Sequence, residues 1–246
     1  MIPPLETQEI RVFLVDPERT DAGALAQAHL GWLAREEHER YQRLVFAEKK
    51  HEFLVTRVLV RRVLAGLLGR SPVGLAFDLG PYGRPELRGP PSDGAGRLRF
   101  NLSNTRGLVA CAVAWNRDVG VDVEHVDRRT ETTAIADRFF SPAEVEGLMR
   151  LDPSEQRRRF FELWTLKEAY IKARGLGLAI PLESFSFSLG HAGPPTIAFA
   201  ESLHDDPHSW RFEQSFPCPT HAMALAVRVE PQEPVSIALQ WLDLAP

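Results

Sequence analysis

FNLSNTRGLVACAVAWNRDVGVDVE, residues 100–124, decides how the chain is read. RLRFNLSN and the apolar run LVACAVAW have the composition of strands. Asn116, Arg117 and Asp118 make a turn, and VGVDVEHV is expected to fold back as the hairpin partner of LVACAVAW. Alternate residues of a strand share a face, so Val121 and Val123 should face the core while Asp122 and Glu124 point the other way. Their Cα atoms would lie roughly 6–7 Å apart. Such a pair suits a hard cation held by oxygen, or is simply the solvated outer face of a hairpin.

Working outward, IRVFLVD (10–16) reads as an opening strand and residues 22–69 as helix-rich. Apolar spacing carries a helix through HEFLVTRVLVRRVLAGLLGR, with Arg57, Arg61 and Arg62 among the apolar positions and Gly69 and Pro72 ending it. LAFDLGPYGRPEL is a strand broken by a Gly/Pro loop, and PPSDGAG (90–96) is a surface loop. Ser141, Pro142 and Glu144 supply an N-cap, a first-turn proline and a first-turn acid. The longest helix is expected through EQRRRFFELWTLKEAYIKARG, stopping at Gly175. ESFSFSL, TIAFA, SWRFEQSF, HAMALAVRV and VSIALQWL then read as strands. LVACAVAW and AMALAVRV look like a repeated element. The expected fold class is α+β, two similar subdomains over 1–117 and 118–246; in the repeated order of elements VSIAL follows the second alanine-rich strand where GVDVE follows the first. A site built on those acids would then be asymmetric and lie in a cleft between the halves.

The long helix adds chemistry. Phe160, Trp164 and Ile171 form an apolar stripe whose remaining slot holds Lys167, which must snorkel out or meet an anion. Glu168 and Lys172, four apart, share a face, either as a surface ion pair or as part of a site. Three carboxylates with two lysines suit a phosphate-bearing ligand bridged by Mg²⁺. Arg84, presented from the Tyr82–Gly83–Arg84–Pro85 turn, suits phosphate through its planar fork. No Walker A motif or dinucleotide fingerprint is present.

The 246 residues are 44% hydrophobic and 25% charged, the make-up of a globular chain. With 29 basic and 33 acidic side chains the net charge is −4, which argues against a general nucleic-acid binder. The two cysteines, Cys111 and Cys218, make neither a disulfide framework nor a zinc site, and Cys111 is expected to be a buried small hydrophobe. MIPPLETQEI has neither the basic nor the apolar region of a signal peptide, and no run is long enough to span a bilayer. The expected setting is cytoplasmic, with no membrane partner.

In order, GRP (83–85), FNLSN (100–104), GVDVE (120–124) and WTLKEAYIKARGLGL (164–178) resemble the 4′-phosphopantetheinyl transferases of the long, two-subdomain type that activate peptide and polyketide synthases. The resemblance spans residues 83–178. It implies transfer of the phosphopantetheine arm of coenzyme A to a serine of an apo acyl or peptidyl carrier protein, releasing adenosine 3′,5′-bisphosphate. It implies a pseudo-twofold fold acting as a monomer. Asp122, Glu124 and Glu168 would surround Mg²⁺, or Mn²⁺ in its place, with Glu168 as general base. Lys172 would neutralise the pyrophosphate, and Lys167, Arg84, Ser103 and Arg57 would line the phosphate and adenine side. Asn104 departs from the family's FNxSH motif, whose His helps hold the 3′-phosphate; Arg106 or Arg40 would have to compensate. The competing readings are another Mg²⁺-dependent nucleotide phosphotransferase or hydrolase, and a coenzyme- or carrier-binding module without turnover.

Overall fold

The computed structural model describes residues 2–89, 96–190 and 193–245, so the loop expected over 90–96 lies outside the described residues except for Gly96. The chain is α+β and divides into two units, 1–116 with 234–246, and 117–233. Residues 234–246, expected with the second subdomain, group with the first unit instead.

Among the described residues the first unit opens with β1 (Glu9–Val15), followed by α1 (Ala22–His29), α2 (Arg35–Arg43) and the 22-residue α3 (Ala47–Leu68). Gly69, at φ +61°, takes the left-handed backbone that ends α3. A small hairpin of β2 (Phe77–Leu79) and β3 (Pro85–Leu87) precedes β4 (Leu98–Thr105) and β5 (Leu108–Trp115). The last strand of the chain, β11 (Ser236–Trp241), pairs in parallel with β1, giving the order β11-β1-β5-β4. Val55, Leu59 and Val63 of α3 pack with Phe13, Val109, Cys111 and Phe100 in this unit's core. Cys111 is fully buried, and burial pushes its thiol pKa up, as suits an inert core residue.

The second unit repeats the order of elements. β6 (Val119–His125) is followed by α4 (Thr132–Phe139), α5 (Pro142–Met149) and the 22-residue α6 (Pro153–Arg174). A hairpin of β7 (Phe185–Ser188) and β8 (Thr196–Phe199) leads to β9 (Trp210–Cys218) and β10 (His221–Arg228). Its sheet runs β6-β10-β9, as β1-β5-β4 does in the first unit. The alanine-rich strands β5 and β10 hold the same place, as the sequence suggests. Two expectations are corrected. VGVDVEHV is not the hairpin partner of LVACAVAW, because β1 and β4 already occupy both edges of β5; β6 pairs with β10. VSIAL is not the counterpart of GVDVE: it extends the first unit's sheet, and the strand that occupies the place of β6 there is β1.

α6 is set by its ends. Asp152 caps it by accepting from Ser154 N at 2.9 Å, Pro153 occupies the first turn, and Gly175 at φ +68° closes it. Ser141 and Glu144 form a capping box at the start of α5. Near the end of α6, Tyr170 Oη donates to Asp205 Oδ2 at 2.7 Å, Trp210 Nε1 donates to the same oxygen at 3.2 Å, and Arg174 pairs with it. Burial opposes the Asp205 charge, but these bonds, that from Asp206 N and the Arg174 charge outweigh it and hold the pKa below the ordinary 3.8. Ionised Asp205 therefore stabilises the fold fully above pH 3.8, and this contribution drains away as pH falls through the lower folded value. Asp205→Asn is expected to cost about 2 kcal/mol at neutral pH. Urea midpoints of variant and wild type should converge on acidification; a gap independent of pH would refute this role.

Candidate active site

The sequence pattern places Asp122 and Glu124 on one face of β6, and that face proves to be the one that meets α6. Gly120, Asp122 and Glu124 are register partners of Ala226, Ala224 and Ala222 on β10, whose side chains belong to the core around α6. A Cβ on Gly120 would overlap the Ala169 carbonyl oxygen and the Ala173 nitrogen, so only glycine lets strand and helix backbones come this close. The expectation that the acids turn away from the core is therefore corrected. Both faces of β6 are buried from Val119 to Val123, and Asp122 is only 5% exposed.

Trp164, Glu168 and Lys172 lie at i, i+4 and i+8 on α6 and form the opposing stripe. Lys172 Nζ donates to Asp122 Oδ1 at 2.6 Å and to the Val121 carbonyl at 3.3 Å. Trp164 donates to Glu124, whose Oε1 also pairs with Arg128 at 3.0 Å. Burial pushes the Glu124 pKa up to about 7, with Asp122 adding to the shift and Arg128, Lys172 and the Trp164 bond opposing it. Glu168 is raised by the same two causes, burial first and then Asp122, with Lys172 and Arg128 opposing. Three carboxylates thus share one buried neighbourhood whose charge the chain itself offsets with two cations.

Among the described residues no three histidine, cysteine, aspartate or glutamate side chains form a metal-holding group as the structure stands. Asp122 and Glu124 are turned to Lys172 and Arg128 instead. The chemistry of the donor set nevertheless fits a hard dication: Asp122, Glu124 and Glu168 offer oxygen alone, and burial and the Asp122 charge oppose the charges of Glu124 and Glu168.

Lys167, expected on the phosphate side, is committed inside the second unit. Its side chain is fully buried, pairs with Glu144 Oε2 at 2.7 Å and donates to the Leu182 and Phe185 carbonyls at 2.8 and 2.7 Å. Burial lowers its pKa and Glu144 opposes that shift. The lysine in the core slot does meet an anion, one supplied by the α5 capping box.

The other expected ligand contacts belong to the first unit. Arg57 on α3 pairs with Glu37 at 3.4 Å and stacks 5.0 Å from the Phe53 centroid, with Arg40 at 5.4 Å from the same ring. Arg84 lines a hollow with Arg97 and Arg99, both of which pair with Glu86, at 3.0 and 3.4 Å. Ser103 is buried and Asn104 exposed; as successive residues of β4 they face opposite ways. Arg106 lies 3.7 Å from Glu18. Sequence reasoning missed Arg97 and Arg99, the Trp164 bond, and Arg128 as the partner of Glu124. Only the four-residue spacing of Glu124 and Arg128 could have signalled the last.

A buried carboxylate cluster with a lysine across a strand and a helix is the equipment of phosphoryl transfer. The family described as the 4′-phosphopantetheinyl transferase superfamily matches residues 118–226, the stretch that contains this cluster. A 4′-phosphopantetheinyl transferase from Bacillus subtilis is 34% identical over 67% of this chain and 70% of its own length. The 4′-phosphopantetheinyl transferase HetI from Nostoc sp. is 37% identical over 71% of this chain and 75% of its own. Among solved structures, a Thermotoga maritima holo-[acyl-carrier-protein] synthase matches with a TM-score of 0.37 and 24% identity, over 46% of this chain and 63% of that one. The chain belongs to the 4′-phosphopantetheinyl transferase superfamily. It is an enzyme, a transferase. No helix among the described residues is long and apolar enough to cross a membrane.

Proposed function

We propose that the chain transfers the 4′-phosphopantetheine arm of coenzyme A to a serine of an apo carrier protein, with Mg²⁺ held by Asp122, Glu124 and Glu168. The observation that carries this reading is the meeting of those three acids with Lys172 on β6 and α6, inside the stretch that the family matches. When bound, Mg²⁺ supplies a dication that offsets the charge of the pyrophosphate, a task Mn²⁺ can also perform. The serine oxygen bonds to the phosphorus that carries the pantetheine arm. The bond from that phosphorus to the bridging oxygen breaks, and adenosine 3′,5′-bisphosphate leaves. Glu168 takes the serine proton, directly or through a water. Lys172, already turned to Asp122, offsets the charge gathering on the leaving oxygen. Arg57, Arg84, Ser103 and Asn104 are assigned to the phosphate and adenine side of coenzyme A. Asn104 brings a hydrogen-bond donor but no charge to the 3′-phosphate.

Incubation with coenzyme A, Mg²⁺ and an apo carrier protein is expected to add the mass of the arm to the carrier serine, and a chelator to stop it. Hydrolysis of coenzyme A with no adduct on any carrier would favour the nucleotide-hydrolase reading. Full transfer in chelator would refute the dication.

A further inference from the structure

Just beyond β6, Arg128 is seated between an aromatic ring and a carboxylate. Its guanidinium lies 5.6 Å from the Phe161 centroid, and Arg157 stands 5.4 Å from the same ring. Arg157 also donates to the Val126 carbonyl at 2.7 Å and to the Arg128 carbonyl, so it braces the backbone that presents Arg128. From that position Arg128 pairs with Glu124 Oε1, whose side chain is 12% exposed, while its own is 39% exposed. A cation with a solvent-facing side is thus seated on a carboxylate that is not.

We infer that Arg128 is a built-in competitor for the dication: it occupies Glu124 until a metal ion arrives and holds down the affinity of the site for a free ion. The inference rests on the dication site proposed above. Lys172 makes the matching contact with Asp122, but it belongs to the transfer machinery, whereas Arg128 has no assigned part in transfer. Two positive side chains within the donor set repel an incoming dication and must give up an oxygen to it. The partly exposed guanidinium can do so by turning into water, so the cost is modest and the competition adjustable. Arg128 is therefore a positioning residue that acts through Glu124.

The test is a titration of the full chain with Mn²⁺, the free ion being read by electron paramagnetic resonance, with and without coenzyme A. The buffer is mildly alkaline, so that the carboxylates are charged. Arg128→Gln is expected to bind Mn²⁺ at least about threefold more tightly than wild type. Arg128→Lys should stay near wild type, and Arg129→Gln, which removes the same charge one residue away, should change little. Where binding without coenzyme A is too weak to read, the same order is expected in its presence. Equal or weaker binding by a folded Arg128→Gln, or an equal gain in Arg129→Gln, would overturn the inference. Failure of wild type to bind Mn²⁺ even with coenzyme A, together with transfer that survives chelator, would refute the dication site itself.

Discussion

Glu168→Gln is expected to lower phosphopantetheine transfer by about a thousandfold and to leave the chain folded. The substitution keeps the shape and the helix preference of the side chain and removes only its charge and basicity. Two proposed roles fail together, since an amide neither accepts the serine proton nor offers a charged oxygen to a dication. Stability should not suffer, because burial and the Asp122 charge both oppose the Glu168 charge. Its loss relieves repulsion, so the thermal midpoint should hold or rise. Asp122→Asn should be as inactive but less stable, because Lys172 loses the partner it holds at 2.6 Å. Initial rates by intact carrier mass, set beside thermal melts, separate the two variants. Activity of Glu168→Gln within tenfold of wild type would remove Glu168 from both roles.

The second large effect is on stability. Lys167→Met is expected to cost about 3–5 kcal/mol, because it leaves the Glu144 carboxylate buried without its counter-charge. Glu144 binds three elements at once: it accepts from Ser141 N at the start of α5, from Phe187 N of β7 and from Lys167 of α6. Its charge therefore cannot be shed without loosening all three. At this chain length the loss corresponds to a fall in thermal midpoint of roughly 10 °C. Lys167→Met combined with Glu144→Gln should recover part of it, since the amide still caps α5 and no charge is left buried. A double variant no better than Lys167→Met alone would show that the cost is one of packing rather than of charge.

These two residues show where a sequence is transparent and where it is not. WTLKEAYIKARG displays the helix, its end at Gly175 and the face shared by Glu168 and Lys172, because local spacing fixes all three. It also marks Lys167 as anomalous in an apolar stripe. It cannot name Glu144 as the partner, because that pairing joins residues that are far apart in number and adjacent only after α5 has docked on α6. β6 was legible as a strand and its acids as sharing a face, since alternation settles that. Which face met a helix was not legible, apart from the hint of a glycine at position 120. Strand partners were the weakest part of the reading: LVACAVAW and VGVDVEHV adjoin in sequence, yet both edges of β5 are taken by β1 and β4.

The pairing of β1 with β11 joins Glu9 to Ser236 and Leu14 to Trp241, nearly the two ends of the chain. During synthesis, residues 9–15 leave the ribosome before residues 117–233 and wait for residues 236–241, which leave after them. The second unit, 117–233, has all of its strands available before that moment. The later-made unit can thus complete its sheet while the earlier-made one still carries an open edge.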